Sequence, residues 1–159
     1  MRRVLFRLVI PGKTWHNRDN DAERMSAMTK DYIKKYYLDE GRNCAESTLR
    51  AANEAYALGL EEKDFLLLRG FGGGMAVGGP CGALTGAVAA LGRMFGDKLD
   101  KEGLHELVAG YIAAFEQRFG SVNCSELTPG WKKEDVRCYE LVAAAAALLD
   151  ETVKAAGEK

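Results

Sequence analysis

Four cysteines are the residues of this chain best suited to chemistry. Cys44, Cys81, Cys124 and Cys138 are the only cysteines among its 159 residues. No two of them form a C-x-x-C pair, so the spacing supports neither a zinc ribbon nor a thioredoxin-type motif. Successive cysteines are separated by 37, 43 and 14 positions. Any site that they share must therefore be assembled by the fold.

Three of the cysteines fall where a helix is predicted to begin. Cys44 and Cys124 each follow an asparagine, which is a good N-cap, and each lies two residues before a glutamate. Cys81 follows Pro80, and proline is favoured in the first turn of a helix. The unpaired N–H groups and the dipole of a helix start favour a thiolate. We therefore expect reactive thiols at these positions, and Cys81 to be the most essential of them.

Thiolates at such positions fit two kinds of chemistry, and the spacing leaves both open. Four thiolates can bind an iron–sulfur cluster or another thiophilic metal. Alternatively, one thiolate attacks and a second cysteine resolves the resulting disulfide. Cys138 is predicted inside the last helix, where a cysteine by itself is more often a small core residue. A helical interaction domain with four core cysteines is the simplest alternative.

The most unusual stretch is residues 70–92, which contains nine glycines and no charged residue. Within it, Gly78, Gly82, Gly86 and Ala90 recur every four positions, so they share one face of a helix. Such a face lets another backbone approach closely. Gly79, Gly82 and Gly86 are also the candidate contacts for a bound cofactor.

Two other interpretations of this stretch are disfavoured. A membrane-spanning helix would have to be continuous in lipid, whereas glycines and Pro80 interrupt the first half of the stretch. A phosphate-binding loop would need a lysine where Pro80 stands. The net charge of −1 gives no electrostatic reason to expect nucleic acid as a partner.

Leu, Ala, Glu and Lys dominate the rest of the chain, which favours an all-α fold. We predict a single-domain bundle of five to six helices, with a Gly-rich loop before the Cys81 helix. Residues 65–68 are expected to be buried, and residues 128–131 are expected to form a turn. The predicted helices span about residues 21–38, 44–57, 61–68, 80–95, 101–119 and 132–156.

The N-terminal residues differ from the rest. We assign residues 1–24 to a loose arm and residues 25–159 to the four-cysteine domain. The short apolar run near the start is interrupted by Arg7, and no small-residue cleavage site follows it. This pattern predicts a cytoplasmic protein, in which thiols stay reduced unless they are catalytic or metal-bound.

Several segments together resemble a known family. The family consists of redox-active proteins named for the pattern C…GCAxxG…C…C, and the similarity covers about residues 32–149. The block at residues 81–86 reads CGAxxG, with the cysteine before the glycine. The matching segments are residues 43–47 (NCAES), 71–75 (FGGGM) and 79–87 (GPCGALTGA), followed by Cys124 and Cys138.

The resemblance implies a small helical protein with four functional cysteines, often encoded near transporters. A similar cysteine pattern occurs in the cluster-binding part of split-Soret cytochromes, which favours an iron–sulfur cluster. This chain has no C-x-x-C-H, so it carries no covalent haem.

We therefore expect Cys44, Cys81, Cys124 and Cys138 to form one site, either as catalytic thiols or as metal ligands. The leading hypothesis is a thiol-redox or electron-transfer protein, with a redox partner and with a homodimer as one candidate assembly. If it is an enzyme, it is a thiol oxidoreductase. The alternative is a non-enzymatic metal-binding module, structural or for trafficking, that should unfold without its metal.

Overall fold

The computed structural model describes residues 27–157, so the predicted arm at residues 1–24 lies outside the described residues. Within this range the chain forms helices and no β-strand, which confirms the all-α class. Seven α-helices are present there, so the predicted count of five to six was too low. None of these helices is long and apolar enough to cross a membrane. They are α1 (Thr29–Lys34), α2 (Cys44–Tyr56), α3 (Glu62–Phe65), α4 (Gly82–Phe95), α5 (Lys101–Phe119), α6 (Cys124–Trp131) and α7 (Tyr139–Gly157).

Two of the helices continue as irregular turns. α1 runs into a π-helical turn at Lys35–Asp39, in which the N–H of Glu40 donates to the carbonyl of Lys35 at 2.9 Å. α3 runs into a 3₁₀ turn at Leu66–Phe71. With three residues per turn, residues 65 and 68 share one face. Phe65 and Leu68 are indeed buried, whereas Leu66 and Leu67 are 49% and 76% exposed. The expectation that all of residues 65–68 are buried was therefore wrong.

The first and last helices are joined by a buried carboxylate. Asp150 of α7 is 1% exposed and accepts hydrogen bonds from the backbone N–H groups of Thr29 at 3.0 Å and Lys30 at 3.3 Å. A carboxylate at this end satisfies unpaired N–H groups and complements the helix dipole. The hydroxyl of Tyr56 in α2 donates to the same carboxylate at 2.9 Å. One side chain thus ties α1, α2 and α7 together.

The closest helix pair is α2 and α4, and glycines make their approach possible. A Cβ atom on Gly86 would lie 2.5 Å from the carbonyl oxygen of Ala45, and one on Gly82 would lie 2.9 Å from the Cβ of Cys44. The predicted small-residue face is therefore a packing surface. Because α2 fills the space beside Gly82 and Gly86, these two glycines contact a neighbouring helix where a cofactor contact was expected.

The C-terminal third departs most from the sequence-based boundaries. Residues 128–131 were predicted to be a turn, yet α6 continues through Pro129 to Trp131. Pro129 removes one backbone hydrogen bond, while the N–H of Lys132 still bonds the carbonyl of Thr128 at 2.9 Å. The last helix begins at residue 139, whereas residue 132 was predicted, because the N–H of Lys133 bonds the carbonyl of Arg137 at 2.8 Å and closes a tight turn.

We predict that Gly86→Ala destabilises the protein by about 1–3 kcal/mol, because the added Cβ must push α2 away from α4. Thermal unfolding followed by circular dichroism measures the effect. Gly92→Ala in the same helix is the matched control: a Cβ there meets no atom within 4 Å, so its better helix propensity should stabilise by roughly 0.5–1 kcal/mol. Equal effects of the two substitutions would contradict the packing role of Gly86.

Candidate functional site

All four cysteines lie at the start of a helix. Cys44 and Cys124 are the first residues of α2 and α6, as predicted, and Cys81 is the N-cap of α4. Cys138 directly precedes α7, and its carbonyl accepts a hydrogen bond from the N–H of Val142 at 3.0 Å. Its predicted place inside the helix was therefore wrong. The helix-start pattern of the other three cysteines extends to the fourth.

A short backbone bridge holds the starts of α4 and α6 side by side. The N–H of Cys81 donates to the carbonyl of Val122 at 2.7 Å, and the N–H of Cys124 donates to the carbonyl of Gly79 at 2.7 Å. This antiparallel bridge involves a single residue pair, too short to leave an alternating pattern in the sequence. It places two cysteines far apart in the chain on neighbouring segments.

Tyr37 connects the starts of α2 and α7. Its hydroxyl oxygen lies 3.8 Å from the Sγ of Cys44 and accepts a hydrogen bond from the N–H of Cys138 at 3.1 Å. The Cys44 thiol donates to that oxygen, and when Cys44 is ionised the hydroxyl proton of Tyr37 can point at the sulfur instead. Tyr37 is 2% exposed, within the π-helical turn that follows α1. The sequence alone did not identify Tyr37 as a site residue.

Arg137 fixes Tyr37 from the other side. Its guanidinium carbon lies 3.9 Å from the centre of the Tyr37 ring, an arrangement that gives a cation–π attraction. The same guanidinium donates hydrogen bonds to the backbone carbonyls of Tyr37 and Arg42. These contacts hold Arg137 in the left-handed region, at φ +53°, just before Cys138.

Three of the cysteines open into one cavity of about 500 Å³, while the fourth does not. Cys44, Cys124 and Cys138 line it and are half-buried. Cys81 lies outside the lining and is 4% exposed. The structure thus separates three cavity cysteines (Cys44, Cys124 and Cys138) from one buried cysteine, a division that the sequence did not predict.

The Gly-rich segment forms one wall of this cavity. Gly73 and Gly78 line it, and the chain between them turns through left-handed conformations, with φ of +63° at Gly74. A Cβ atom on Gly74 would lie 2.7 Å from the Cβ of Cys124. Glycine at this position therefore allows the loop backbone to pass directly against Cys124.

The pKa of Cys81 runs against the sequence-based expectation. The pKa of the Cys81 thiol is raised to about 12, chiefly by burial and to a smaller extent by the charges of Cys44 and Cys124. The N–H groups of Ala83 and Leu84 at the start of α4 lower that pKa, but by less than burial raises it. The helix start is real, yet desolvation outweighs it. At Cys81, burial thus opposes the helix-start effect from which a reactive thiol was expected, and its place as the most essential cysteine stays a prediction.

The pKa values of two cavity cysteines likewise depend on burial and on neighbouring groups that act in opposite directions. Burial raises the pKa of Cys44, the hydrogen bond from Tyr37 lowers it, and the charges of Cys138 and Cys124 raise it. Burial and the charge of Cys124 raise the pKa of Cys138, whereas the charges of Lys132 and Arg137 lower it. The thiolates thus influence one another electrostatically, as expected for groups that share a site.

The present arrangement does not fit a metal site. Across residues 27–157, no three His, Cys, Asp or Glu side chains come close enough together to hold one ion. A cluster or zinc bound by four thiolates would need the sulfur atoms to draw closer than they lie here. The four cysteines as metal ligands therefore stay a prediction that this geometry does not support.

Fold and site together define a small helical protein with four cysteines gathered at helix starts. The family model described as "Putative redox-active protein (C_GCAxxG_C_C)" matches residues 42–152, and this chain belongs to that family. An uncharacterized protein of Archaeoglobus fulgidus is 32% identical over 133 residues, covering 74% of this chain and 88% of the relative. No solved structure matches the chain significantly.

We predict that iodoacetamide at pH 7 alkylates Cys81 at least about tenfold more slowly than Cys124, because Cys81 is buried and its raised pKa leaves little thiolate. Mass spectrometry of peptides from the reduced protein measures both rates. In denaturant all four cysteines should react alike, which controls for peptide recovery. Preferential native labelling of Cys81 would contradict this interpretation.

Tyr37→Phe should slow the alkylation of Cys44 several-fold at pH 7. Loss of the hydroxyl removes a hydrogen bond that lowers the pKa of Cys44, so less thiolate is present. Cys124 in the same sample serves as an internal reference. Tyr32→Phe, a change of the same size on α1, is the matched control and should leave Cys44 unaffected. An unchanged or faster Cys44 rate in Tyr37→Phe would refute the hydrogen-bond assignment.

Proposed function

We propose that this protein is a cysteine-based redox protein whose cavity cysteines reduce a disulfide acceptor. The observation that carries the proposal is that Cys44, Cys124 and Cys138 open into one cavity. Membership of a family described as redox-active supports it. Reduced thiols are the form required to donate electrons.

The proposed reaction is a balanced thiol–disulfide exchange. A cavity thiolate attacks one sulfur of the acceptor disulfide, forming a mixed disulfide and breaking the acceptor's S–S bond, and the first acceptor thiol leaves with the bonding electrons and a proton. A second cavity thiolate then attacks the protein sulfur of the mixed disulfide. It forms a disulfide within the protein and releases the second acceptor thiol. Two electrons and two protons pass from the protein to the acceptor.

The protein's own groups have separate parts in this proposal. Tyr37 shares a hydrogen bond with the sulfur of Cys44 and accepts one from the amide of Cys138, so it keeps these two cysteines in position. Cys81 is too deeply buried to meet an acceptor first. We propose that it supports the site from behind and stays reduced during the exchange.

The alternative is a metal-binding module, structural or for trafficking, or an iron–sulfur electron carrier. The observation that favours it is the placement of all four cysteines at helix starts, where free N–H groups offset the negative charge of thiolates. A bound cluster would supply one-electron chemistry. Cys44, Cys81, Cys124 and Cys138 would be its ligands, but only after a rearrangement that brings their sulfur atoms together.

The proposed cellular compartment and partners of the protein are based on its sequence. A cytoplasmic location would keep the cavity thiols reduced between turnovers, and a separate redox partner would reduce the disulfide formed. The link to transporters follows only from the resemblance, and a homodimer stays a prediction.

The test begins with anaerobic purification and an absorption spectrum. We expect a colourless protein with four titratable thiols that loses two of them when one equivalent of a small disulfide is added. Peptide mapping should then find a disulfide between two of the three cavity cysteines. Cys81→Ser, the control, should form the same disulfide.

Two outcomes would contradict the proposal. Retention of all titratable thiols after exposure to the disulfide would exclude the exchange reaction. Broad visible absorption in the purified protein would favour the cluster alternative. Its loss together with unfolding on metal removal would indicate a structural site.

A further inference from the structure

The cavity that holds the three thiols is unbalanced in charge. Lys132 and Arg137 line it, and no carboxylate does among the residues described. The guanidinium of Arg137 donates hydrogen bonds to two backbone carbonyls, and these neutral groups do not cancel its charge. Within residues 27–157, neither cation has a carboxylate within ion-pair distance. Among residues 27–157, no carboxylate therefore compensates the positive charge of the cavity.

Lys133, the next residue along the chain, has its charge neutralised by an ion pair. Lys133 forms an ion pair with Glu140, at 2.5 Å between its Nζ and a carboxylate oxygen, and it does not line the cavity. Both lysines are exposed to solvent. Two adjacent lysines thus differ in the two properties that matter: one faces the thiols without a partner, and the other is paired outside.

The cationic groups act on the cavity at short range. Lys132 and Arg137 line the cavity together with Cys138, and their charges lower the pKa of the Cys138 thiol. Uncharged hydrogen-bonding groups, the hydroxyls of Ser125 and Thr128, line the same space. A volume of about 500 Å³ falls in the range of small-molecule pockets. The size and lining of the cavity therefore favour a small, negatively charged occupant that can also react with a thiol.

We propose that the acceptor of this cavity is a small organic disulfide bearing carboxylate groups, with Lys132 and Arg137 holding the carboxylates beside the three thiols. This inference rests on the proposed function and specifies its substrate class. The exchange follows the two steps given above: the acceptor disulfide takes up two electrons and two protons and leaves as two carboxylated thiols. Charge attraction in the cavity raises the local concentration of such an acceptor.

The test compares two disulfides of similar size and opposite charge. 3,3′-Dithiodipropionate is anionic and cystamine is cationic at pH 7. The rate of thiol loss from the reduced protein is measured with each and divided by the rate of the same disulfide with dithiothreitol, which removes intrinsic reactivity. We expect the normalised rate to favour dithiodipropionate by roughly tenfold at low salt, and the preference to shrink at 0.5 M salt, roughly in line with Debye screening.

Lys132→Gln should reduce this preference several-fold, whereas Lys133→Gln is the matched control and should keep it. Both positions are exposed, so neither change should perturb the fold. Equal normalised rates for the two disulfides, faster reaction of cystamine, or identical behaviour of the two variants would overturn the inference. If both disulfides oxidise the cavity cysteines equally, only the substrate class is wrong. If neither oxidises them, the proposed function itself fails.

Discussion

The site depends on how closely α2 and α4 approach one another. Gly82 and Gly86 leave no side chain between these helices, so the backbone of α2 at Ala45 rests directly on α4. This contact brings the first residue of α2 next to the first turn of α4, and with it Cys44 next to the Cys81 segment. The bridge between Gly79–Cys81 and Val122–Cys124 then adds the start of α6. A bulkier side chain at either glycine would separate the helix starts on which the thiol chemistry depends.

Gathering helix starts has two opposing electrostatic consequences. Free N–H groups favour thiolates, but the packing that brings them together also removes water. At Cys81 the loss of water prevails, because the side chain is 4% exposed and burial raises its pKa to about 12. At Cys44 the hydrogen bond with Tyr37 lowers the pKa of the thiol, which offsets part of the increase caused by burial. The reactivity of each thiol is thus set by its local exposure and partners more than by its position on a helix.

The division of the cysteines connects this structure to a redox role. In the proposed exchange, the three thiols at one cavity would provide both an attacking and a resolving group, while the buried Cys81 packs within the core. Tyr37 and Arg137 connect the start of α7 to the other thiols: the phenol contacts Cys44 and Cys138, and the guanidinium stacks on the phenol ring. Lys132 and Arg137 line the same cavity, so in the proposed reaction neighbouring residues would position the thiols and attract the acceptor.

Local sequence was sufficient wherever a short-range interaction decides the structure. Asn43 caps α2 as predicted, and Asp100 caps α5, whose start at residue 101 was predicted; the two side chains accept hydrogen bonds from the N–H groups of Glu46 and Gly103, both at 2.9 Å. The all-α class followed from composition, and the family from the cysteine and glycine motifs. What the tertiary structure decided rests on contacts across long stretches of chain. Arg137 adopts its left-handed conformation beside Tyr37, a residue 100 positions earlier, which delays α7 until Tyr139 and moves Cys138 to a helix start. Several helices packed together likewise bury Cys81, and no local sequence pattern around residue 81 indicates that burial.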